Sequence, residues 1–186
     1  MIFMSMDFIK ILGDVITEQI NVQAGAVGAS VGQRAASGGS SQVSSHSWVS
    51  GTKIGPVLKN PGQCNNYGQI RNRGESNEYT HNSCDTGVRV GTGIFAPYDG
   101  KITLIDNSKC GDGIDLTGEV DGKTLYSRFC HLRDREVSSN SEVTKGQLIG
   151  FTGGAEGEPG AGNTTGAHLH WSFKVDGVST NPYTYN

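Results

Sequence analysis

The chain has 186 residues, which suits one domain with appendages and leaves little room for a second full-sized core. A formal charge of -3, with 18% charged residues, offers no basic field to hold a phosphate backbone and excludes nucleic acid as the expected partner. Asp7, Lys10 and Asp14 interrupt the one greasy stretch, so no run approaches the ~18 apolar residues of a membrane span, and without a basic n-region that stretch is not a classical signal peptide.

Residues 1–23 predict an amphipathic helix: Phe8, Ile9, Ile11, Leu12, Val15, Ile16 and Ile20 fill one half of a helical wheel, and Asp7, Lys10, Asp14, Thr17 and Glu18 the other. Residues 24–45 are largely Gly, Ser, Ala, Val and Gln, with Arg34 the only charge, which is the composition of a flexible linker. A helix this short needs a surface for its apolar face, either its own domain or, as the tether favours, another protein.

From residue 46 onward short β-branched runs alternate with glycine, which at 28 residues has about twice its usual ~7% share. The runs 88–90, 100–105, 113–116, 125–129, 147–151 and 168–175 predict strands, and no periodic helix follows to supply parallel crossovers, so the expected domain is all-β and antiparallel. Asp121-Gly122 predicts a tight hairpin between 113–116 and 125–129. If Gly118 and Lys123 flank that reversal, facing residues sum to about 241, which brings Cys110 and Cys130 close across the hairpin. Four cysteines permit three pairings, and no CxxC spacing suggests a structural zinc; the hairpin favours Cys110–Cys130 and leaves Cys64–Cys84. Residues 153–166, with six glycines and one proline, predict a long mobile loop of the kind that borders a site.

Four of the five histidines fall in three tight contexts: His81 in THNSCD, His131 in FCHL, and His168 with His170 in GAHLHW. On a strand His168 and His170 share one face, with Leu169 directed into the packing, so two imidazoles reach one ion. His81 and Asp85 are four apart and share a face if their segment is extended, with Cys84 pointing the other way. Histidine nitrogen and carboxylate oxygen are natural zinc ligands, and three protein ligands with an open fourth position is the catalytic arrangement. Each piece alone also fits an ordinary polar residue at a turn or strand end.

Taken in order, HNSCD at 81–85, GTGIFAPYDGKI at 91–102, LYSRFCHL at 125–132, VTKGQLIGFTG at 143–153 and GAHLHWSFKVDGVSTNPYTY at 166–185 resemble the lysostaphin/LytM-type zinc metallopeptidases. Ser83 stands where that family commonly has glycine, which leaves both nearby ligands intact. The resemblance runs from His81 to Tyr183 and covers nothing before about residue 75; for the domain expected at 46–186 it implies an antiparallel two-layer β fold with a metal-floored groove, and zinc held by His81, Asp85 and His170. It also implies that His131 and His168 are catalytic. No HExxH supplies a glutamate base, so His168 is expected to take the proton while His131 hydrogen-bonds the water or the developing oxyanion; the two roles are exchangeable. The implied substrate is the peptide part of bacterial peptidoglycan, cut by an endopeptidase in the periplasm or outside the cell. The N-terminal helix would then dock on a partner such as a phage-tail or virion component, a holin-released lysis enzyme being the rival. The alternative class is a non-catalytic peptidoglycan-binding or structural component of a virion assembly.

Overall fold

A computed structural model describes residues 53–64 and 66–185; the expected helix at 1–23 and linker at 24–45 lie outside the described residues. The described chain forms twelve strands: β1 (Gln69–Arg71), β2 (Tyr79–His81), β3 (Cys84–Gly87), β4 (Gly93–Phe95), β5 (Gly100–Asn107), β6 (Gly111–Val120), β7 (Lys123–Cys130), β8 (Leu132–Arg135), β9 (Glu142–Val143), β10 (Leu148–Thr152), β11 (His168–Val175) and β12 (Val178–Ser179). Every pairing among them is antiparallel. The large sheet runs β12-β11-β7-β6-β5-β9, with β3 on the same edge of β11 as β12, and a smaller sheet runs β4-β10-β8. Gly150 of the small sheet lies close to Ile114 of the large one, and Ile94, Leu132 and Ile149 join Ile114, Leu116 and Phe129 in one core.

The period-two pattern of β11 decides what faces the site. Leu169, Trp171 and Phe173 point into the core, so His168, His170 and Ser172 must take the other face, as expected from sequence. Trp171 keeps its indole N–H satisfied by donating to the buried Ser127 hydroxyl at 3.1 Å.

Asp121 (φ 53°) and Gly122 (φ 71°) are both left-handed, as a two-residue hairpin turn between right-twisted strands requires. The ladder closes on Val120 opposite Lys123, so Gly118 does not flank the reversal, and facing residues such as Ile114 and Phe129 sum to 243 rather than about 241. The reason is packing: a Cβ on Gly118 would strike the Asp99 carbonyl and the Tyr98 ring, so this glycine marks a close approach within a strand. The disulfide still joins Cys110 and Cys130, with Cα atoms 4.8 Å apart, because the left-handed Gly111 turns Cys110 back toward β7. Cys64 and Cys84 form the other bridge, as expected.

Two further expectations are corrected. Residues 88–90 form no strand; the Arg89 carbonyl instead accepts the hydroxyl protons of Thr92 and Thr152, which turns the chain into β4. The 153–166 loop, expected to be mobile, is tied down in its middle: Gly160 O accepts the Asp112 N–H, the Asn163 N–H donates to Lys109 O, and Ala161 is buried. Ahead of β1, Ile54, Val57 and Leu58 are fully buried in the core, and Lys53 Nζ lies 3.2 Å from Asp121 beside the hairpin turn.

Candidate metal centre and active site

The site forms where the chain changes sheets. β2 pairs with β1, placing Gln69 opposite His81, whereas β3 pairs with β11, placing Asp85 opposite His170. The segment 81–85 is therefore not one extended strand; it bends between two sheets at Asn82-Ser83, and the bend still directs His81 and Asp85 together. His81 Nε2 is 3.2 Å from Asp85 Oδ2, and His170 Nδ1 is 2.7 Å from Asp85 Oδ1.

His131 is the single residue between β7 in the large sheet and β8 in the small one. Its φ of 63° is left-handed, a conformation non-glycine residues rarely hold without support. Four contacts supply it: the His131 N–H donates to Cys110 O at 2.8 Å, its carbonyl accepts from Gly153 N–H at 2.9 Å, its Nδ1–H donates to Ala161 O at 2.6 Å, and the neighbouring Cys130 is bridged to Cys110. His168 donates its Nδ1–H to Gly166 O at 2.8 Å. Because a carbonyl only accepts, both rings carry the proton on Nδ1 and present an Nε2 lone pair when neutral. The two rings lie 4.7 Å apart, centre to centre. All five residues singled out from sequence are thus brought together.

Their protonation follows from surroundings. Burial pushes the Asp85 carboxyl up, but hydrogen bonds and charge from His170 and His81 outweigh it and hold Asp85 well below the usual carboxylate range. Burial pushes the His131 imidazole down, and the nearby His168 and His170 add to this, against the opposing bond to Ala161 O.

Among the described residues two groups of donors are close enough to share an ion, His81 with Asp85 and His170, and His131 with His168 and His170, each with its ligand atoms within 4.8 Å of one another. Only the first contains an anion to balance a dication. Zinc ligands at about 2.0–2.2 Å from a tetrahedral ion stand roughly 3.4 Å apart, so the 3.2 Å His81–Asp85 separation already fits. Each imidazole in this group also has its remote nitrogen held, His81 Nδ1 by Asn66 O at 3.2 Å and His170 Nε2 by Ser172 Oγ at 3.2 Å, the outer contacts that orient metal-binding histidines.

Sequence reasoning missed Asn66 and Arg71. The Asn66 amide donates to Asp85 Oδ2 at 2.7 Å and its carbonyl oxygen accepts the Asp85 N–H at 2.9 Å, fixing the carboxylate's orientation. The cysteine pairing carried the signal: a Cys64–Cys84 bridge forces residue 66 near residue 85.

The sequence profile of peptidase family M23 matches residues 79–182, more than half of the chain, and the chain belongs to that family. This bears out the resemblance to lysostaphin/LytM-type enzymes and their antiparallel β fold. Zinc is the cofactor of the family, and the His81, Asp85 and His170 group is one that could hold it. A relative is the peptidoglycan DD-endopeptidase ShyC of Vibrio cholerae, 33% identical over 105 residues that make up 56% of this chain and 22% of the relative. Among solved structures, a zinc containing peptidase from Vibrio cholerae has a TM-score of 0.55 at 21% identity, covering 71% of this chain and 39% of that one. The catalytic domain of lysostaphin from Staphylococcus simulans has a TM-score of 0.49 at 28% identity, covering 60% of this chain and 77% of that one. The chain spans about a fifth of the length of the curated relatives it matches.

Proposed function

We propose that the chain is a zinc-dependent endopeptidase acting on the peptide stems or cross-bridges of bacterial peptidoglycan, with His81, Asp85 and His170 holding the metal. The observation that carries this reading is the pairing of one carboxylate with two imidazoles beside two further histidines that each donate an Nδ1–H to a backbone carbonyl and so keep a lone pair on Nε2. When bound, zinc supplies a Lewis acid for the scissile carbonyl and lowers the pKa of water from about 15.7 toward about 7. His168, steadied through Gly166 O, takes the water's proton on Nε2 and returns it to the leaving amine. His131, kept neutral by burial, accepts a hydrogen bond from the water and can donate to the developing oxyanion only after it has itself gained a proton. The relative's name, peptidoglycan DD-endopeptidase, supports the substrate class. The amphipathic residues 1–23 and the linker support docking on a protein partner, such as a phage tail or similar particle, with action in the periplasm or outside the cell.

Metal analysis and mass spectrometry of released muropeptides test the assignment. Replacing His81, Asp85 or His170 by Ala is expected to remove zinc and turnover together, whereas His168→Ala keeps most of the zinc and loses turnover. Full activity in protein shown to be free of metal would sink the mechanism, and zinc loss from His168→Ala would reverse the two roles within HLH.

A further inference from the structure

Arg71 lies outside the residues that match the family profile, yet its side chain reaches the centre of the site. The β1–β2 pairing explains why. Arg71 stands opposite Tyr79, two residues along from the Gln69–His81 pair, and in a strand residues two apart share a face, so Arg71 and His81 project from the same side. Arg71 Nη2 lies 3.6 Å from Asp85 Oδ2, too far for a hydrogen bond but close enough for attraction. Arg71 Nε is buried without a hydrogen-bond partner, alone in this among side-chain nitrogens and oxygens of the described residues.

A buried N–H left unpaired is costly, so its persistence calls for an acceptor that arrives later. Charge points the same way. Among the described residues Asp85 is the only carboxylate within 4 Å of Arg71, and it is already engaged by Asn66, His81 and His170. Once a dication shares that carboxylate, the guanidinium faces a site with excess positive charge, which an incoming anion would relieve. The Nε and Nη2 edge of a guanidinium is a planar two-donor fork that matches a carboxylate.

We propose that Arg71 binds a carboxylate on the substrate residue beside the scissile bond and so makes the enzyme select unamidated peptide. This rests on the reading of the site as a peptidoglycan peptidase, and it adds a specificity-determining residue to it. Arg71 positions the substrate and takes no part in proton transfer.

The test compares the full chain, zinc-loaded, on a peptide cross-link fragment carrying a free carboxylate beside the scissile bond and on its carboxamide twin. The wild type is expected to favour the carboxylate by about tenfold or more in kcat/KM, expressed mainly in KM. In Arg71→Gln that ratio should fall toward one, and Arg71→Lys, which keeps the charge but not the fork, should lie between. An indifferent wild type, or an Arg71→Gln variant that slows both peptides equally with unchanged preference, overturns the proposal and leaves Arg71 as a counter-charge to Asp85. A second readout does not depend on turnover: in 15N-labelled wild type the Arg71 Nε–H resonance, identified by its loss in Arg71→Lys, should shift on titration with the carboxylate product and not with its carboxamide. If the wild type cleaves neither peptide the peptidase reading fails, and this titration alone then decides whether Arg71 binds a carboxylate; no shift overturns it.

Discussion

His131 combines a strained backbone with a functional side chain, and substitutions can separate the two. Its left-handed φ of 63° suits Asn better than Ala, because a left-handed residue with a Cβ costs roughly 1–2 kcal/mol and a short polar side chain offsets part of it by local hydrogen bonding. His131→Asn is therefore expected to lose turnover while keeping zinc, and to melt above His131→Ala by calorimetry. The depressed pKa of His131 also has a sign. Its unfolded form binds a proton near pH 6.5 and its folded form only at lower pH, so the unfolded state binds more protons as pH falls below about 6.5 and stability declines there. In zinc-free protein, the melting temperature of His131→Asn should gain on that of the wild type between pH 7 and pH 5; a constant difference would show that the ring does not titrate as its burial implies. The five metal and catalytic candidates were legible in sequence because they sit in short local patterns, HNSCD, FCHL and HLH, although a strand dictates the geometry of HLH alone, 81–85 bending between two sheets and His131 lying between two strands. Asn66 and Arg71 were not, because each reaches Asp85 across 19 and 14 residues of chain, through contacts no local pattern encodes.

At the scale of elements, the Cys110–Cys130 bridge links the β5–β6 corner to the residue that precedes His131. A link across 20 residues is worth about 3 kcal/mol when it constrains the unfolded chain, a figure that strain can lower. Its loss should also free the Cys110 carbonyl that holds the His131 N–H. Paired serines at 110 and 130 are expected to lower stability by about 2–4 kcal/mol in denaturant titrations and to reduce kcat while zinc content stays near one equivalent. Unchanged kcat would show that the remaining bonds to Ala161 and Gly153 suffice to hold His131. β11 and the β6–β7 hairpin were readable because alternating burial and an Asp-Gly turn act locally. β1, β9 and β12, two or three residues each, carry no period to detect, and Gly118 misled because a glycine in a strand and a glycine at a turn look alike until the Tyr98 ring is placed against it.

For the molecule as a whole, the boundary between appendage and domain becomes testable. Ile54, Val57 and Leu58 belong to the core although they precede the family match at residue 79. Burying each contributes on the order of 1.5–3 kcal/mol. A chain starting at residue 46 is expected to stay folded and hydrolyse isolated peptidoglycan nearly as well as the full chain, losing only attachment to a partner. A chain starting at residue 67, stripped of this segment and of Cys64, should unfold or melt far lower. Unfolding of the first truncation would instead assign residues 1–45 to the domain's own core. Finally, the Lys53–Asp121 ion pair places Lys53 beside the turn of the β6–β7 hairpin. Asp121 stands in the turn at one end of the β6–β7 ladder and His131 follows the other end, roughly 30 Å away at the ~3.3 Å per residue of a β-strand. The β6–β7 ladder therefore sets Lys53 and the metal-ligand cluster at opposite ends of the large sheet, so a bulky label on Lys53 would sit a full strand length from His131 and should leave hydrolysis untouched.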